Sequence, residues 1–276
     1  MRVAVIQMSP GAEKEQNIAQ ARGLVEALVA GQKVDLVVLP EMWTCLGGTR
    51  AQKFAAGEVL PSPGESGGPA YEFLRGLAMS FNIHVHGGSI GEVRGEKLYN
   101  TTLVFNPAGE EIARYSKIHL FDITTPDGQG YRESAIYGAG EEVVTCMIGE
   151  TRVGLAICYD IRFPELFLAL RRAGAEVILL PAAFTLQTGK DHWEVLIRAR
   201  AIETQCWFAA CGTYGAHTEG NGEVRQTYGH SLICDPWGHV VAKASDGQGW
   251  AVADIDHRLT ARVRANMPVL EHRKLA

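Results

Sequence analysis

The sequence predicts an α/β protein in which two sheets pack face to face between outer helices, a four-layer α-β-β-α sandwich. Short apolar runs typical of buried strands alternate with segments of helical periodicity near both ends of the chain. No Pro/Ser-rich linker or block of charge separates these two β/α-rich halves, so residues 1–276 are expected to form one domain.

The N-terminal half begins with a strand–helix–strand pattern. Val3–Met8 and Val34–Leu39 are mostly apolar, and Glu13–Ala30 between them has apolar residues at helical spacing. Three strand-like runs separated by Gly-rich or Asn-Pro-Ala-Gly turns then predict an antiparallel meander. A helix at about 70–80 is predicted to precede these three runs, which are Ile83–Val93, Leu98–Asn106 and Glu111–His119.

The second half follows a long segment at 121–140 that is rich in Thr, Pro, Asp and Gly and has no period. Long loops inside compact domains are often functional, so this one is expected to line a site. The elements predicted after it are strands at 142–148 and 152–158, a helix at about 163–173, a strand at 176–180, a helix at about 191–205, strands near 207–211, 229–234, 239–244 and 249–254, and an amphipathic segment from about 256.

The composition excludes several classes of protein. With 46% hydrophobic residues and no low-complexity tract, the chain is not disordered. Its 26 basic residues are spread along a chain of net charge -5, so no nucleic-acid partner is expected. The first apolar run stops at Ser9-Pro10, too short for a signal peptide or a membrane span, which predicts a cytoplasmic protein without a membrane partner.

The cysteines and histidines do not predict a metal site. Six cysteines occur without a C-x-x-C pair or zinc-type spacing, which is typical of reduced thiols. His84 and His86 share one face of a predicted strand, but no third ligand has suitable spacing. Both histidines are therefore expected to be structural.

Reactive side chains occur where three buried strands give way to turns. Glu41, Lys117 and Cys158 each lie at such a strand end, where sites gather in α/β sheets. Amide cleavage needs a nucleophile, a base and a positive pocket for the oxyanion, and these three residues could supply them. Spacing alone does not bring the three together, and a strand cysteine is by default a small core residue.

Three segments around these residues resemble the Glu, Lys and Cys motifs of the nitrilase superfamily, the carbon–nitrogen hydrolases, and they occur in the family's order. They read LPEMW, YSKIHLFD and GLAICYDIRFPEL. The likeness extends from VAVIQM through HWEVLIRARAIETQ and YGHSLICDPWG to VLEHR. One departure is Ser116, where the family often has Arg before the lysine.

The resemblance implies a Glu-Lys-Cys triad: Glu41 as general base, Lys117 as oxyanion-stabilising lysine and Cys158 as nucleophile. Glu133, in the long loop, matches a fourth family carboxylate that orients the substrate amide or holds Lys117. The implied reaction passes through a thioester on Cys158 without metal or organic cofactor. The family commonly forms homodimers through the helix after the cysteine motif and the C-terminal segment, so the resemblance implies a homodimer or higher homo-oligomer.

Within the family, the sequence is most similar to the branch that hydrolyses deaminated glutathione, with the ω-amidases of α-keto acid amides such as α-ketoglutaramate next. A non-enzymatic thiol or ligand-binding protein is the contrasting class.

Four residues are candidates for substrate binding. The backbone N–H of Tyr159 is predicted to contact the oxyanion. Arg162 could hold a substrate carboxylate, although an ion pair with a nearby Asp or Glu is an equal alternative. Phe184 and Trp193 are packing residues that could also be pocket walls.

Overall fold

The computed structural model describes residues 1–62, 64–125 and 128–274. Eight helices lie within the described residues: α1 (Lys14–Gly31), α2 (Arg50–Ala56), α3 (Pro69–Phe81), α4 (Pro164–Arg172), α5 (Leu186–Thr188), α6 (Glu194–Thr204), α7 (His257–Asn266) and α8 (Val269–His272). The strands are β1 (Arg2–Gln7), β2 (Leu36–Val38), β3 (His84–His86), β4 (Ile90–Arg94), β5 (Lys97–Phe105), β6 (Glu111–Ser116), β7 (Asp122–Thr124), β8 (Gly130–Arg132), β9 (Tyr137–Gly138), β10 (Thr145–Ile148), β11 (Thr151–Leu155), β12 (Val177–Ala182), β13 (Trp207–Gly212), β14 (Tyr214–Thr218), β15 (Val224–Tyr228), β16 (Leu232–Cys234), β17 (Val240–Lys243) and β18 (Gly249–Asp254).

The first large sheet has the strand order β18-β1-β2-β3-β5-β4, with β6 and β9 also pairing with β5. Strand β1 is buried on both faces because its side chains alternate between two cores. Val3 and Val5 point to the core between the sheets, and Ala4 and Ile6 point to the core beneath helices α1 and α3. This explains why the strand is almost continuously apolar.

The second large sheet has the order β10-β11-β12-β13-β16-β17. Its strands β11, β12 and β13 are parallel, and helices α4 and α6 cover the outer face. Phe167 of α4 packs on Phe208 of β13 with ring centroids 5.6 Å apart. The layers are therefore helix, sheet, sheet and helix, and the predicted four-layer α/β sandwich is confirmed. No helix among the described residues is long and apolar enough to cross a membrane.

The predicted strand Ile83–Val93 is in fact two strands, β3 and β4. Gly88 interrupts it with a positive φ of 58°, and a Cβ there would lie 2.0 Å from the Pro40 carbonyl oxygen. Glycine thus allows the Pro40-Glu41 turn to approach this bend. The antiparallel meander is confirmed for β4, β5 and β6.

Three other segments differ from prediction. The predicted loop at 121–140 contains β7, β8, a 3-10 turn (Glu133–Ala135) and β9, while its Pro126 and Asp127 lie outside the described residues. The helix predicted from about 191 starts earlier, with α5 and a π-helical turn (Gly189–Trp193) before α6. Helix α2 and the β14–β15 hairpin were not predicted, because neither has a clear apolar period.

Candidate active site

The structure brings the three strand-end residues into one cavity of about 200 Å³. Glu41, Lys117, Glu133 and Cys158 all line it. The Lys117 Nζ lies 3.0 Å from Glu41 Oε1 and 2.8 Å from Glu133 Oε2. Lys117 is only 2% exposed, so its ammonium group is held between two carboxylates almost out of contact with water.

Glu41 is positioned by the turn that follows β2. Its Oε1 also accepts a hydrogen bond from Asn100 Nδ2 at 2.8 Å, and its Oε2 accepts one from the backbone N–H of Ala183 at 2.7 Å. Ala183 directly follows β12 of the other sheet. The carboxylate therefore bridges the two sheets and has little freedom to rotate.

Cys158 lies on a sharp turn between β11 and a 3-10 segment (Cys158–Arg162), with a positive φ of 48°. This left-handed conformation is unfavourable for a side-chain-bearing residue and costs about 1–3 kcal/mol, so the surrounding contacts must impose it. The fully buried Asp160 supplies one of them by accepting a 2.8 Å hydrogen bond from the Ile157 N–H.

Asp160 also ties the cysteine turn to the segment that carries Lys117. Its Oδ2 accepts from the Tyr115 hydroxyl at 2.7 Å, and its Oδ1 accepts from the His119 N–H at 3.0 Å. The His119 ring lies 2.7 Å from the same Oδ1 and stacks on Phe163 with centroids 3.7 Å apart. Both turns are thus held by one buried carboxylate.

Burial raises the pKa of the Cys158 thiol well above its ordinary range, and the negative charge of Glu41 raises it further. Lys117 lowers this pKa but does not offset the other two effects. Burial alone would lower the pKa of Lys117, yet the charges of Glu133 and Glu41 outweigh burial and raise it well above normal. At neutral pH the site therefore holds a protonated cysteine beside an ammonium group, so the thiol must lose its proton during the reaction.

The wall of the cavity contains three of the four predicted substrate-binding residues: Tyr159, Arg162 and Phe184. The Arg162 guanidinium lies 5.6 Å from the Phe184 ring centroid and 3.3 Å from His192 Nδ1. It forms no ion pair with a carboxylate among the described residues, unlike the alternative considered from sequence.

Trp193 is not part of the lining formed by the described residues. It is 1% exposed, packs behind Phe184 with centroids 5.0 Å apart, and donates a 2.9 Å hydrogen bond to the His230 carbonyl. Trp193 could therefore affect a bound ligand only by supporting Phe184.

Sequence reasoning missed Asn100 and the function of Asp160. Asn100 is 1% exposed on β5 and donates to both Glu41 and Glu133, the latter at 3.3 Å. A polar residue inside an otherwise apolar strand is a signal that could have identified it. Asp160 stands within the cysteine motif, but its partners at Tyr115 and His119 are more than 40 positions away in sequence.

His86 is structural. Burial lowers its pKa to about 3, so the ring is neutral at physiological pH. The Gly88 N–H donates to its Nδ1 at 3.2 Å, which leaves Nε2 to donate to the Thr102 hydroxyl at 3.0 Å. Among the described residues, no group of three His, Cys, Asp or Glu side chains has the arrangement of a metal site.

A family model described as carbon-nitrogen hydrolase matches residues 2–265. A deaminated glutathione amidase of Synechocystis sp. is 40% identical over 275 residues, covering 98% of this chain and 97% of the relative. The deaminated glutathione amidase of Homo sapiens is 40% identical over 283 residues, covering 99% and 82%.

The fold is also found in a solved structure. The crystal structure of Saccharomyces cerevisiae Nit3, described as a member of branch 10 of the nitrilase superfamily, superposes with a TM-score of 0.87 at 31% identity. The match covers 100% of this chain and 97% of that one.

Proposed function

Because this chain belongs to the carbon–nitrogen hydrolase family and hydrolyses carbon–nitrogen bonds of small non-peptide amides, we propose that its substrate is deaminated glutathione, cleaved to 2-oxoglutarate and Cys-Gly. Support for this substrate comes from the names of the relatives from Synechocystis sp. and Homo sapiens. The observation that carries the chemistry is the contact of Lys117 with both Glu41 and Glu133 beside Cys158.

In the first step, Glu41 takes the Cys158 proton as sulfur attacks the amide carbon. Glu41 lines the same cavity as Cys158, and its charge raises the pKa of the thiol, which makes a base necessary. Negative charge then develops on the former carbonyl oxygen. The Lys117 ammonium and the Tyr159 backbone N–H stabilise it, and losing one such donor typically costs about 3–4 kcal/mol.

In the second step, Glu41 returns the proton to the leaving nitrogen, and the amine departs from a thioester on Cys158. Water activated by Glu41 then hydrolyses the thioester, which releases the acid and restores the thiol. Glu133 accepts a second hydrogen bond from Lys117 and so helps to fix where the ammonium group points. These four residues complete the reaction with no cofactor.

Arg162 is assigned to the 2-oxo acid carboxylate. Its guanidinium lines the cavity, stacks near Tyr159 and Phe184, and has no carboxylate partner among the described residues. A planar guanidinium can bind a carboxylate through two parallel hydrogen bonds. Replacing Arg162 with Gln should therefore lower kcat/KM about 10- to 100-fold for every 2-oxo acid amide.

The substrate is tested by measuring product release from deaminated glutathione and from α-ketoglutaramate. A higher kcat/KM for deaminated glutathione supports the proposal, whereas a preference for α-ketoglutaramate would make the protein an ω-amidase. Cys158→Ala should abolish turnover, and Cys234→Ala, which removes a buried thiol from β16, should not. Binding without turnover of any amide would indicate a thiol or ligand-binding protein.

We also propose that the protein forms a homodimer and, departing from the interface implied by the resemblance, we place the contact at the exposed side chains of Val195, Ile202 and Trp237. These side chains are 66%, 50% and 50% exposed, and the first two are seven residues apart on one face of α6. Ile202→Glu should convert a dimer into a monomer in sedimentation velocity, with activity and fold retained. A wild-type monomer at all concentrations would contradict this.

Residues 1–276 are proposed to act as one cytoplasmic domain. Support comes from the core shared by both large sheets and from the six unpaired cysteines, which are typical of a reducing compartment. One cooperative unfolding transition, and recovery of the protein from the cytosolic fraction of its source cells, are the expected results.

A further inference from the structure

One wall of the cavity is a row of three aromatic rings with an arginine at each end. The centroid of Phe121 lies 5.1 Å from that of Tyr131 and 5.0 Å from that of Tyr159. Arg225 Cζ lies 4.2 Å from the Tyr131 centroid, and Arg162 Cζ lies 5.9 Å from the Tyr159 centroid. All five residues line the cavity. A guanidinium group therefore stands at each end of one aromatic wall.

The middle of this row is fixed to the reaction centre. The Phe121 N–H donates a 2.6 Å hydrogen bond to Glu133 Oε2, and the same oxygen lies 2.8 Å from Lys117 Nζ. An amide whose carbonyl group reaches Lys117 thus has its scissile bond near the centre of the wall. The acyl part and the leaving group lie on opposite sides of the scissile bond, so each can extend along the wall toward one arginine.

Arg225 has hydrogen-bonding capacity to spare. Its Nη2 donates to the Gly130 carbonyl at 3.2 Å, while its Nε is buried without a hydrogen-bond partner among the described residues. The neighbouring carboxylates are Glu219 and Glu223, at 4.0 Å and 3.7 Å, which is beyond hydrogen-bond length. Glu219 is also shared with Lys53, which lies 3.0 Å from it. Two carboxylates and two cations thus balance the formal charge at this end, while the Arg225 guanidinium keeps donors that neither carboxylate satisfies at hydrogen-bond distance.

We propose that Arg225 binds a carboxylate on the leaving amine, so that the cavity selects amides with an anion on each side of the scissile bond. The inference rests on the proposed function, in which Arg162 binds the carboxylate of the acyl part. A dipeptide leaving group reaches about 7 Å from the scissile nitrogen, which is comparable with the steps of 5.1 Å from Phe121 to Tyr131 and 4.2 Å from Tyr131 to Arg225. When the leaving group is ammonia, it carries no carboxylate that Arg225 could bind.

The test compares deaminated glutathione with an analogue whose glycine carboxylate is replaced by a neutral carboxamide. The wild-type protein should prefer the acid by about 10- to 100-fold in kcat/KM, as expected for one charge-assisted hydrogen-bonded pair. Arg225→Gln should lower kcat/KM for the acid by that factor and change the value for the carboxamide by about twofold or less. Arg225→Lys should restore part of the preference, because the charge returns without the planar fork.

Glu223→Gln is the matched control. It removes an exposed carboxylate 3.7 Å from Arg225, so the preference for the acid should be retained or increased. Equal losses on both substrates in Arg225→Gln would assign Arg225 a structural role and overturn the inference. Equal wild-type rates on the two substrates would also overturn it. Failure of the proposed function is a separate result: wild-type protein that cleaves α-ketoglutaramate but neither dipeptide amide.

Discussion

The floor of the cavity and its aromatic wall are built in opposite ways. The floor consists of Glu41 and Lys117, which are nearly inaccessible to water, and the mostly buried Glu133; both carboxylates accept hydrogen bonds from Lys117. The wall runs from Arg225 to Arg162 along half-buried rings, and within the described residues neither arginine has a carboxylate partner at hydrogen-bond distance. The floor offers one fixed arrangement of charge, whereas the wall keeps donors available.

We therefore expect the floor to carry the chemistry and the wall to select the substrate. Groups that stabilise a transition state act best when they are held in place before the substrate arrives, because no reorganisation is then needed. Groups that recognise a substrate must keep donors that the substrate can satisfy. Substitutions in the floor should therefore lower turnover for every amide, while substitutions in the wall should change which amide is preferred.

The largest effect is expected from Lys117→Met. Removing the ammonium group takes away an oxyanion donor and leaves two carboxylates without their shared cation, so kcat should fall by about 10³-fold or more. The free energy of unfolding should fall as well, by about 3–5 kcal/mol, because the buried charges lose their partner. Steady-state kinetics and urea denaturation measure the two effects.

The double variant Lys117→Met/Glu133→Gln sharpens this prediction. It removes one of the two repelling carboxylates, so part of the stability should return while activity stays absent. Lys97→Met, at an exposed position on β5, is the control and should match wild type in both measurements. Near wild-type kcat in Lys117→Met would exclude the proposed oxyanion role.

Asp160→Asn tests how the floor is held in place. Asparagine has one acceptor oxygen where Asp160 accepts from the Ile157 N–H, the Tyr115 hydroxyl and the His119 N–H. The Cys158 turn should relax, and kcat should fall about 10²-fold, with Tyr115→Phe falling by a smaller factor. Alkylation of Cys158 by iodoacetamide should slow in parallel.

Asp235→Asn is the matched control for this prediction. Asp235 is also buried and accepts hydrogen bonds from the N–H groups of Trp237 and His239, but it lies outside the cavity lining. The Asp235→Asn variant should be less stable than the wild-type protein but should keep its kcat. If both variants lose kcat equally, Asp160 has only a general structural role.

The fold was largely predictable from the sequence because buried strands and amphipathic helices have distinct periods. Two features of the fold could not be predicted from the sequence. The break at Gly88 depends on its contact with Pro40, far away in the sequence, and glycine is also tolerated within a strand. The β14–β15 hairpin is partly exposed on both faces, so its residues show no alternation of apolar and polar side chains.

The site was predictable where a motif marks the residue. Glu41, Lys117 and Cys158 stand in such motifs, and the structure brings them together. The Ala183 N–H could not be predicted, because any residue supplies a backbone donor and only the tertiary fold aims it at Glu41. Arg225 belongs to the hairpin that was not predicted, so nothing in the sequence connected it with the cavity.

Acid should lower the free energy of unfolding through His86, which lies beneath the floor of the cavity. His86 is neutral in the folded protein, with a pKa of about 3, whereas an unfolded histidine has a pKa of about 6.5. The unfolded state therefore binds more protons in this range, and stability is lost as pH falls from 6.5 towards 3. Between pH 7 and pH 5, His86 should account for a loss of about 2 kcal/mol in the free energy of unfolding.

Urea denaturation at the two pH values measures this loss. His86→Gln should be less stable at pH 7 but should lack this part of the pH dependence, whereas the exposed His272→Gln should retain all of it. The same pH dependence in His86→Gln and wild type would show that another group is responsible. The His86 carbonyl accepts from the Leu39 N–H, so His86 supports the strand end that carries Glu41.

The smallest effect is expected behind the wall. Trp193→Phe removes the hydrogen bond to the His230 carbonyl and some of the surface that supports Phe184, but it touches no group proposed to react. KM should rise about two- to fivefold with kcat nearly unchanged, because Phe184 is displaced slightly and the floor is not. Trp237→Phe, at a half-exposed position outside the cavity, should leave both parameters unchanged. A large fall in kcat for Trp193→Phe would mean that the wall and the floor are mechanically coupled, and the division between selection and chemistry would then fail.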